Sequence, residues 1–214
     1  MKRVSIVDFG AGNLLSVLRA FKHLDAVIDL ASTPEAVERS DRLVLPGVGA
    51  FGACIEGLEE RGLVEPVKSF AATGRPFLGI CVGMQMLFEQ SEEFGNHAGL
   101  GLIPGRVERI PPTGAGGRPH KVPHIGWNAL HKPPGADWQG TPLEPLPEMT
   151  SVYFVHSFAA RPANPSHRLA ECDYNGVALL AATQRDNICG CQFHPEKSGA
   201  AGLSLLARFL ELAA

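Results

Sequence analysis

Residues 74–87 read Gly74-Arg75-Pro76-Phe77-Leu78-Gly79-Ile80-Cys81-Val82-Gly83-Met84-Gln85-Met86-Leu87. The segment from Pro76 to Ile80 has the length and composition of a buried strand. Met84, Leu87 and Phe88 then follow a helical period, which predicts a helix that continues through Phe88. Gly79 and Gly83 flank this cysteine where a side chain would obstruct a strained turn or close packing of strand and helix. The stretch therefore predicts a strand, a sharp turn at Cys81 and a helix.

A cysteine at such a turn lies just before a helix N-terminus. Unpaired N–H groups and the positive end of the helix dipole favour its thiolate form, and the Val82 amide points toward any oxyanion formed nearby. These features make Cys81 a candidate nucleophile. The local pattern leaves a second interpretation open, in which Cys81 is a small buried apolar residue in a strand-to-helix turn.

The composition of the 214-residue chain, with 45% hydrophobic and 19% charged residues, is that of a globular protein. Its net charge of −3 is spread along the sequence without a basic block, so no nucleic acid partner is expected. The apolar run from Val4 to Val7 stops at Asp8 and is too short for a signal peptide or a membrane span, so no membrane partner is expected. Five cysteines without a regular framework indicate reduced thiols and a cytoplasmic protein.

Strand and helix patterns alternate in the first part of the chain, with predicted strands at 4–8, 26–30, 42–45 and 76–80. This alternation predicts an α/β fold with a mostly parallel central sheet, helices on both faces, and ligands beyond the carboxyl ends of the strands. After Gly95, β-rich runs at 106–110, 153–160, 169–173, 177–183 and 188–193 predict an antiparallel C-terminal section. We expect a single domain over residues 1–214. Gly10-Ala11-Gly12 is an incomplete dinucleotide fingerprint, because Leu15 stands at the third glycine position, and no cofactor is expected.

A thiolate nucleophile needs a histidine for proton transfer, and that histidine needs a partner that orients it. His194 lies at the end of a predicted strand, and Glu196 follows two residues later on the same face of an extended chain. Pro195 keeps His194 out of a helix. A rival interpretation assigns His194 to zinc with Cys189 and Cys191, but the spacing is unusual and no second cysteine pair is present, so no metal is expected.

With these residues assembled, the chain resembles the class I, triad-type glutamine amidotransferases, which have Gly-x-Cys-x-Gly-x-Gln around the nucleophile and His-Pro-Glu at the base. Further motifs narrow the resemblance to the glutaminase subunits of imidazole glycerol phosphate synthase. They are Asp8-Phe9-Gly10-Ala11-Gly12-Asn13-Leu14, Pro46-Gly47-Val48-Gly49-Ala50-Phe51, Pro123-His124-Ile125-Gly126-Trp127-Asn128, Tyr153-Phe154-Val155-His156-Ser157-Phe158 and Phe193-His194-Pro195-Glu196-Lys197-Ser198.

The resemblance implies a flavodoxin-like amidotransferase fold and an enzyme of histidine biosynthesis. Such a subunit hydrolyses glutamine to glutamate and ammonia through a cysteinyl thioester. It delivers the ammonia to a separate cyclase subunit, a (β/α)8 barrel, within a heterodimer.

The family's functional positions map onto this sequence residue by residue. The resemblance implies a catalytic triad of Cys81, His194 and Glu196, and an oxyanion hole formed by the amides of Val82, Val48 and Gly49. It implies a glutamine site formed by Gly49, Gln85, His156, Ser157 and Phe158, and a cyclase-facing surface that includes Asn13, Trp127, Tyr153 and Lys197. Phe158 stands where the family often has tyrosine, so a hydroxyl contact near the substrate is absent.

Three alternative functions differ in the motifs they require. A glutaminase that serves another synthase, or a cysteine peptidase, shares the triad but not the motifs at 8–14 and 123–128. A binding module without catalytic activity is disfavoured because all three triad residue types are present.

Overall fold

The computed structural model describes residues 2–10 and 13–213, so that Ala11 and Gly12 of the Gly10-Ala11-Gly12 turn lie outside the described residues. The helices are α1 (Leu14–His23), α2 (Pro34–Glu38), α3 (Phe51–Glu60), α4 (Val64–Ala71), α5 (Val82–Gln85) and α6 (Gly199–Glu211). The strands are β1 (Arg3–Val7), β2 (Val27–Ala31), β3 (Leu43–Gly47), β4 (Phe77–Cys81), β5 (Phe88–Ser91), β6 (His97–Ala98), β7 (Ile103–Arg109), β8 (His124–Ala129), β9 (Ser151–His156), β10 (Phe158–Pro162), β11 (Arg168–Tyr174), β12 (Val177–Arg185) and β13 (Ile188–Cys191).

The largest sheet has seven strands in the order β11-β12-β13-β4-β3-β1-β2. The strands from β13 to β2 pair in parallel, whereas β12 pairs antiparallel with both β11 and β13. Every residue of β3 and β4 is buried, as expected for strands covered by helices on both faces of a parallel sheet. The predicted α/β class is confirmed, and the antiparallel C-terminal strands extend the central sheet itself.

Helices flank this sheet in two groups. α1 packs against α6, and α4 packs against α2 and α3. Within residues 2–10 and 13–213, no helix combines the length and the apolar character that crossing a membrane requires.

Two smaller sheets lie beside the central one, and they correct one predicted strand. β5, β6, β7 and β10 form a four-stranded sheet, while β8 and β9 form an antiparallel hairpin. The prediction of one strand over 153–160 is wrong, because the chain changes sheets at Ser157. His156 pairs with His124 of the hairpin, whereas Phe158 pairs with Arg109 of the four-stranded sheet.

The helix after Cys81 is shorter than the predicted one, which continued through Leu87 and Phe88. α5 ends at Gln85, and Phe88 begins strand β5. The carbonyl of Met86 accepts a hydrogen bond from Leu100 N (2.8 Å), and the carbonyl of Leu87 accepts one from Leu102 N (2.8 Å). Pairing with a distant segment therefore replaces the helical hydrogen bonds that the apolar spacing suggested.

Candidate active site

Cys81 lies at the carboxyl end of the central strand β4, in a strained backbone conformation. Its φ of 55° and ψ of −113° are unusual for a residue with a side chain. α5 starts at the next residue, so the side chain of Cys81 is displayed at a strand-to-helix turn. Cys81 is buried, with a relative exposure of 4%.

Glycines on either side permit this turn through close backbone packing. A Cβ atom at Gly79 would lie 2.8 Å from the carbonyl oxygen of Gly83, and one at Gly83 would lie 1.8 Å from the carbonyl oxygen of Leu45. The turn therefore packs directly onto β3 and β4, where any larger residue would collide with backbone. The positive φ is carried by Cys81 and not by the two glycines.

His194 follows the end of β13 and is held in an extended conformation next to β9. Its backbone N–H donates to the Tyr153 carbonyl at 3.0 Å, and its own carbonyl accepts a hydrogen bond of 2.7 Å from the Ser198 hydroxyl. The ring atom Nδ1 lies 2.8 Å from Oε1 of Glu196, and both side chains are at most 2% exposed. The carboxylate thus fixes the proton on Nδ1 and leaves Nε2 for Cys81.

The charge of this histidine is set by opposing effects. Burial alone lowers the pKa of His194, but hydrogen bonds to Cys81 and Glu196 and the negative charges of these two groups raise the pKa to about 9. The site consequently favours the imidazolium form of His194. A cysteine attacks an acyl carbon as its thiolate, and an adjacent imidazolium is the counter-charge that suits this form.

A cavity of about 460 Å³ opens over the thiol, and most of the predicted site residues line it. Its walls include Cys81, His194, Val82, Val48, Gly49, Gln85, His156, Ser157, Phe158, Asn13 and Lys197. Glu196 lies behind His194 and does not line the cavity, and Trp127 and Tyr153 lie outside it. The structure therefore brings Cys81, His194 and the predicted oxyanion and substrate residues to one cleft, while Glu196 contacts His194 from outside it.

Comparison with known proteins identifies the family. The sequence model of the family described as "Glutamine amidotransferase class-I" matches residues 5–212 of this chain. This chain belongs to the class-I glutamine amidotransferase family. It is 54% identical over 213 residues to the imidazole glycerol phosphate synthase subunit HisH 1 of Legionella pneumophila strain Lens. The alignment covers 99% of this chain and 100% of that protein.

Two further comparisons agree with this assignment. The amidotransferase is 48% identical over 216 residues to the HisH subunit of Methylococcus capsulatus, which covers 98% of this chain and 96% of that protein. A solved structure of PurLQS from Thermotoga maritima superposes with a TM-score of 0.74 at 17% identity, covering 99% of each chain. The latter likeness shows the fold, since its sequence identity is low.

Two side chains at the cleft of this amidotransferase donate hydrogen bonds to the carbonyl oxygen of Phe158. Gln85 Nε2 donates to this oxygen at 3.0 Å, and His156 Nδ1 donates to it at 2.9 Å. His156 Nε2 in turn accepts from His124 Nδ1 at 3.1 Å, which fixes the neutral tautomer of both rings. Gln85 and His156 thus support the cleft wall through a shared backbone acceptor.

Burial keeps this histidine pair uncharged. Burial lowers the pKa of His156 to about 3. The hydrogen bond to the Phe158 carbonyl opposes this shift, whereas repulsion from His124 and His194 lowers the pKa further. Burial, with a smaller contribution from His120, lowers the pKa of His124 to about 4. At neutral pH both rings are uncharged and support the cleft wall through their hydrogen bonds.

An exposed aromatic face lies beside the cleft, on the hairpin of β8 and β9. Trp127 is 58% exposed, pairs with Tyr153 across the hairpin, and has its ring centroid 6.1 Å from that of Tyr153. Lys197 Nζ lies 5.9 Å from the Tyr153 ring centroid and also lines the cleft. The predicted partner-facing residues therefore form one surface that is continuous with the cavity.

Sequence reasoning missed two polar residues at the cleft. Glu93 lines the cavity, and its carboxylate accepts a hydrogen bond of 2.7 Å from Phe51 N at the start of α3. Gln192 is fully buried and has its side-chain nitrogen 3.8 Å from Cys81 Sγ. The position of Gln192, two residues before His194, is a sequence feature that indicates a place near the site. Glu93 has no such feature, because it is one of two adjacent acidic residues after a predicted helix.

The rival zinc interpretation has no support from the arrangement of these groups. Nδ1 of His194 is engaged by Glu196, and Cys191 Sγ donates to the Gly79 carbonyl at 3.7 Å. Cys189 is buried on β13 as well. Across the described part of the chain, no group of three or more His, Cys, Asp or Glu side chains is arranged to hold a metal ion.

Proposed function

We propose that this chain is the glutaminase subunit of an imidazole glycerol phosphate synthase in histidine biosynthesis. The observation that carries the proposal is the identity of 54% and 48% to HisH subunits along nearly the whole chain. Its support in the structure is the cleft that holds Cys81 and His194, with Glu196 hydrogen-bonded to His194. The reaction is hydrolysis of glutamine to glutamate and ammonia.

In this reaction Cys81 is the nucleophile, His194 the proton shuttle and Glu196 its orienting partner. The proton of the thiol moves to Nε2 of His194, and the thiolate attacks the side-chain amide carbon of glutamine. The resulting tetrahedral oxyanion collapses when His194 returns the proton to the leaving nitrogen, which gives ammonia and a thioester. Water activated by His194 then attacks the thioester, and the C–S bond breaks to release glutamate.

We infer that the backbone amides of Val82 and Gly49 stabilise the oxyanion. Val82 is the first residue of α5, both residues line the cavity, and Gly49 has a φ of 106°. The Cys54 thiol donates to the Val48 carbonyl at 3.6 Å, and Gly49 N–H belongs to the same planar peptide group, so it points away from Cys54. Each such donor typically contributes about 3 kcal/mol of barrier reduction.

The cleft offers complementary groups for the amino-acid end of glutamine. Glu93 contributes a carboxylate to the cavity wall, which suits the α-ammonium group of the substrate. Gln85 and His156 fix the Phe158 segment, and Ser157 lies where the chain passes between two sheets. Gln85 uses its nitrogen within the protein, so its side-chain oxygen is the atom left for the substrate.

We infer that the partner is a cyclase subunit with a (β/α)8 barrel, bound as a heterodimer. The argument is the exposed hairpin face next to the cleft, where Ile125 and Trp127 are each 58% exposed, with Tyr153 and Lys197 alongside. Aromatic residues are enriched at such interfaces, and docking here would cover the cavity mouth. Ammonia released at Cys81 would then pass to the partner without reaching bulk water.

The decisive experiment measures ammonia release and cyclisation with the two subunits together. C81A is expected to abolish glutamine-dependent activity while the complex still uses added ammonia. Glutamine hydrolysis that survives C81A overturns the assignment of the nucleophile. Loss of the ammonia-dependent reaction as well contradicts separate sites on two subunits.

The docking surface is tested by W127A, with L30A as a matched control. Leu30 is similarly exposed, at 48%, but lies on the edge strand β2 of the central sheet. We expect W127A to weaken binding to the cyclase subunit by at least about tenfold, because exposed aromatic anchors dominate interfaces. Equal binding by W127A and L30A contradicts this docking surface.

A further inference from the structure

One buried amide group faces the sulfur of Cys81. Gln192 Nε2 lies 3.8 Å from Cys81 Sγ, within donor reach of a sulfur atom, and Gln192 has no exposed surface. It is the first residue after β13, and its backbone N–H donates to the Ala181 carbonyl at 2.9 Å. The side chain is therefore carried at a fixed position of the central sheet.

The direction of this amide is determined by a backbone carbonyl. The Phe158 carbonyl can only accept a hydrogen bond, so the Gln85 atom that lies 3.0 Å from it is the nitrogen. The same nitrogen lies 2.9 Å from the Gln192 side chain, which must therefore present its oxygen to Gln85. The NH₂ group of Gln192 is left facing the sulfur, as a donor.

We propose that Gln192 is a further catalytic residue, whose side-chain N–H donates a hydrogen bond to the Cys81 thiolate. The proposal rests on the proposed role of Cys81 as nucleophile. A neutral thiol is a weak acceptor, whereas an ionised sulfur accepts a much stronger hydrogen bond. A buried donor thus favours transfer of the thiol proton to His194 over the neutral pair.

The same donor acts twice in the reaction. It stabilises the thiolate before attack on the glutamine amide, and it loses strength when the electron pair moves into the new C–S bond. When the second tetrahedral intermediate collapses, the C–S bond breaks and the electron pair returns to sulfur. Gln192 then receives the thiolate again, so its loss lowers the amount of thiolate available for attack and slows the C–S cleavage that completes hydrolysis of the thioester.

The test measures the rate at which iodoacetamide alkylates Cys81 in the full chain as a function of pH. The other four cysteines interfere little, because burial raises the pKa of Cys54 to about 11, those of Cys172 and Cys189 to about 12, and that of Cys191 well above its usual value. Mass spectrometry locates the label. Q192M keeps the length of the side chain but lacks the donor. For this variant we expect the pH midpoint of the alkylation rate at Cys81 to rise by about one pH unit and alkylation at pH 7 to slow about tenfold.

Q184M is the matched control, since Gln184 is on the adjacent strand β12 and its side chain donates to the Asp186 carbonyl away from the cleft. We expect its midpoint and its kcat to equal those of the wild type. Circular dichroism and the thermal midpoint establish that each variant is folded. A folded Q192M with the wild-type midpoint overturns the proposal.

If Q192M does not fold, Q192L takes its place. A leucine side chain also lacks a hydrogen-bond donor, so the same rise in the midpoint of the alkylation profile is expected; an unchanged midpoint overturns the proposal. C81A separates the two levels of inference. Glutaminase activity in C81A refutes the role of Cys81 as nucleophile, on which the proposal rests, whereas an inactive C81A with unshifted Gln192 variants refutes the role of Gln192 alone.

Discussion

The buried histidine pair makes the stability of this protein depend on pH in a way that one substitution can isolate. Folding lowers the pKa of His156 to about 3 from an unfolded value of 6.5, so the unfolded chain binds the proton first as the pH falls. The stability contributed by the neutral ring is fully present above pH 6.5 and is lost below it. H156Q removes this titration and keeps a side chain that can donate to the Phe158 carbonyl.

The size of the effect follows from the two pKa values. Between pH 8 and pH 5, the loss for one such group is about 2 kcal/mol, since each pH unit below 6.5 costs about 1.4 kcal/mol until the folded pKa is reached. His124, with a pKa of about 4, adds a similar loss. His194 acts in the opposite direction, because its folded pKa of about 9 gives stability that is complete below pH 6.5 and lost as the pH rises through 9.

The comparison between variant and wild type removes these other contributions. We expect H156Q to be less stable than wild type at pH 8, with a gap that narrows by about 2 kcal/mol at pH 5. Urea unfolding at pH 8, 7, 6 and 5, followed by circular dichroism, measures the gap. H23Q, at an exposed position at the end of α1, is the control for loss of a histidine outside the buried pair. A gap for H156Q that stays constant across the pH series refutes the buried neutral histidine.

Two further substitutions test the triad and the turn. E196Q removes the charge that orients His194 across 2.8 Å, and we expect kcat for glutamine hydrolysis to fall about 10²–10⁴-fold with folding intact, so a kcat near that of wild type speaks against the triad. G83A places a Cβ 1.8 Å from the Leu45 carbonyl oxygen, and we expect a loss of about 3 kcal/mol in the free energy of unfolding; a loss below about 0.5 kcal/mol in urea contradicts the close packing of turn and strand.

The parts of the site that the sequence predicted are those whose geometry is local. Gly79 and Gly83 indicate the turn at Cys81. Pro195 keeps His194 extended, which places Glu196 on the same face. In each case only a few neighbouring residues determine the conformation. This is why the strand-to-helix turn and the His194–Glu196 pair could be placed before any tertiary contact was known.

The parts that escaped prediction depend on contacts between distant segments. Gln85 and Gln192 are 107 residues apart, and the direction of their amides is set by the carbonyl of a third segment at Phe158. The end of α5 was missed for the same reason, because Leu87 pairs with the chain near Leu102. Apolar spacing reports which residues are buried, but it does not report which backbone group each carbonyl meets.

The register of the central sheet determines the geometry of the proposed catalytic centre. Gly47 pairs with Cys81, and Ile80 pairs with Cys191, so the ends of β3, β4 and β13 are level at the cleft. The Val48–Gly49 peptide, the thiol and Gln192 each follow directly from one of these three strand ends. Neighbouring strands are about 4.8 Å apart, which sets the spacing of the three groups more firmly than loops would. A slip by one residue would turn Cys81 to the other face of the sheet, so selection for the reaction and selection for the fold act on the same hydrogen bonds.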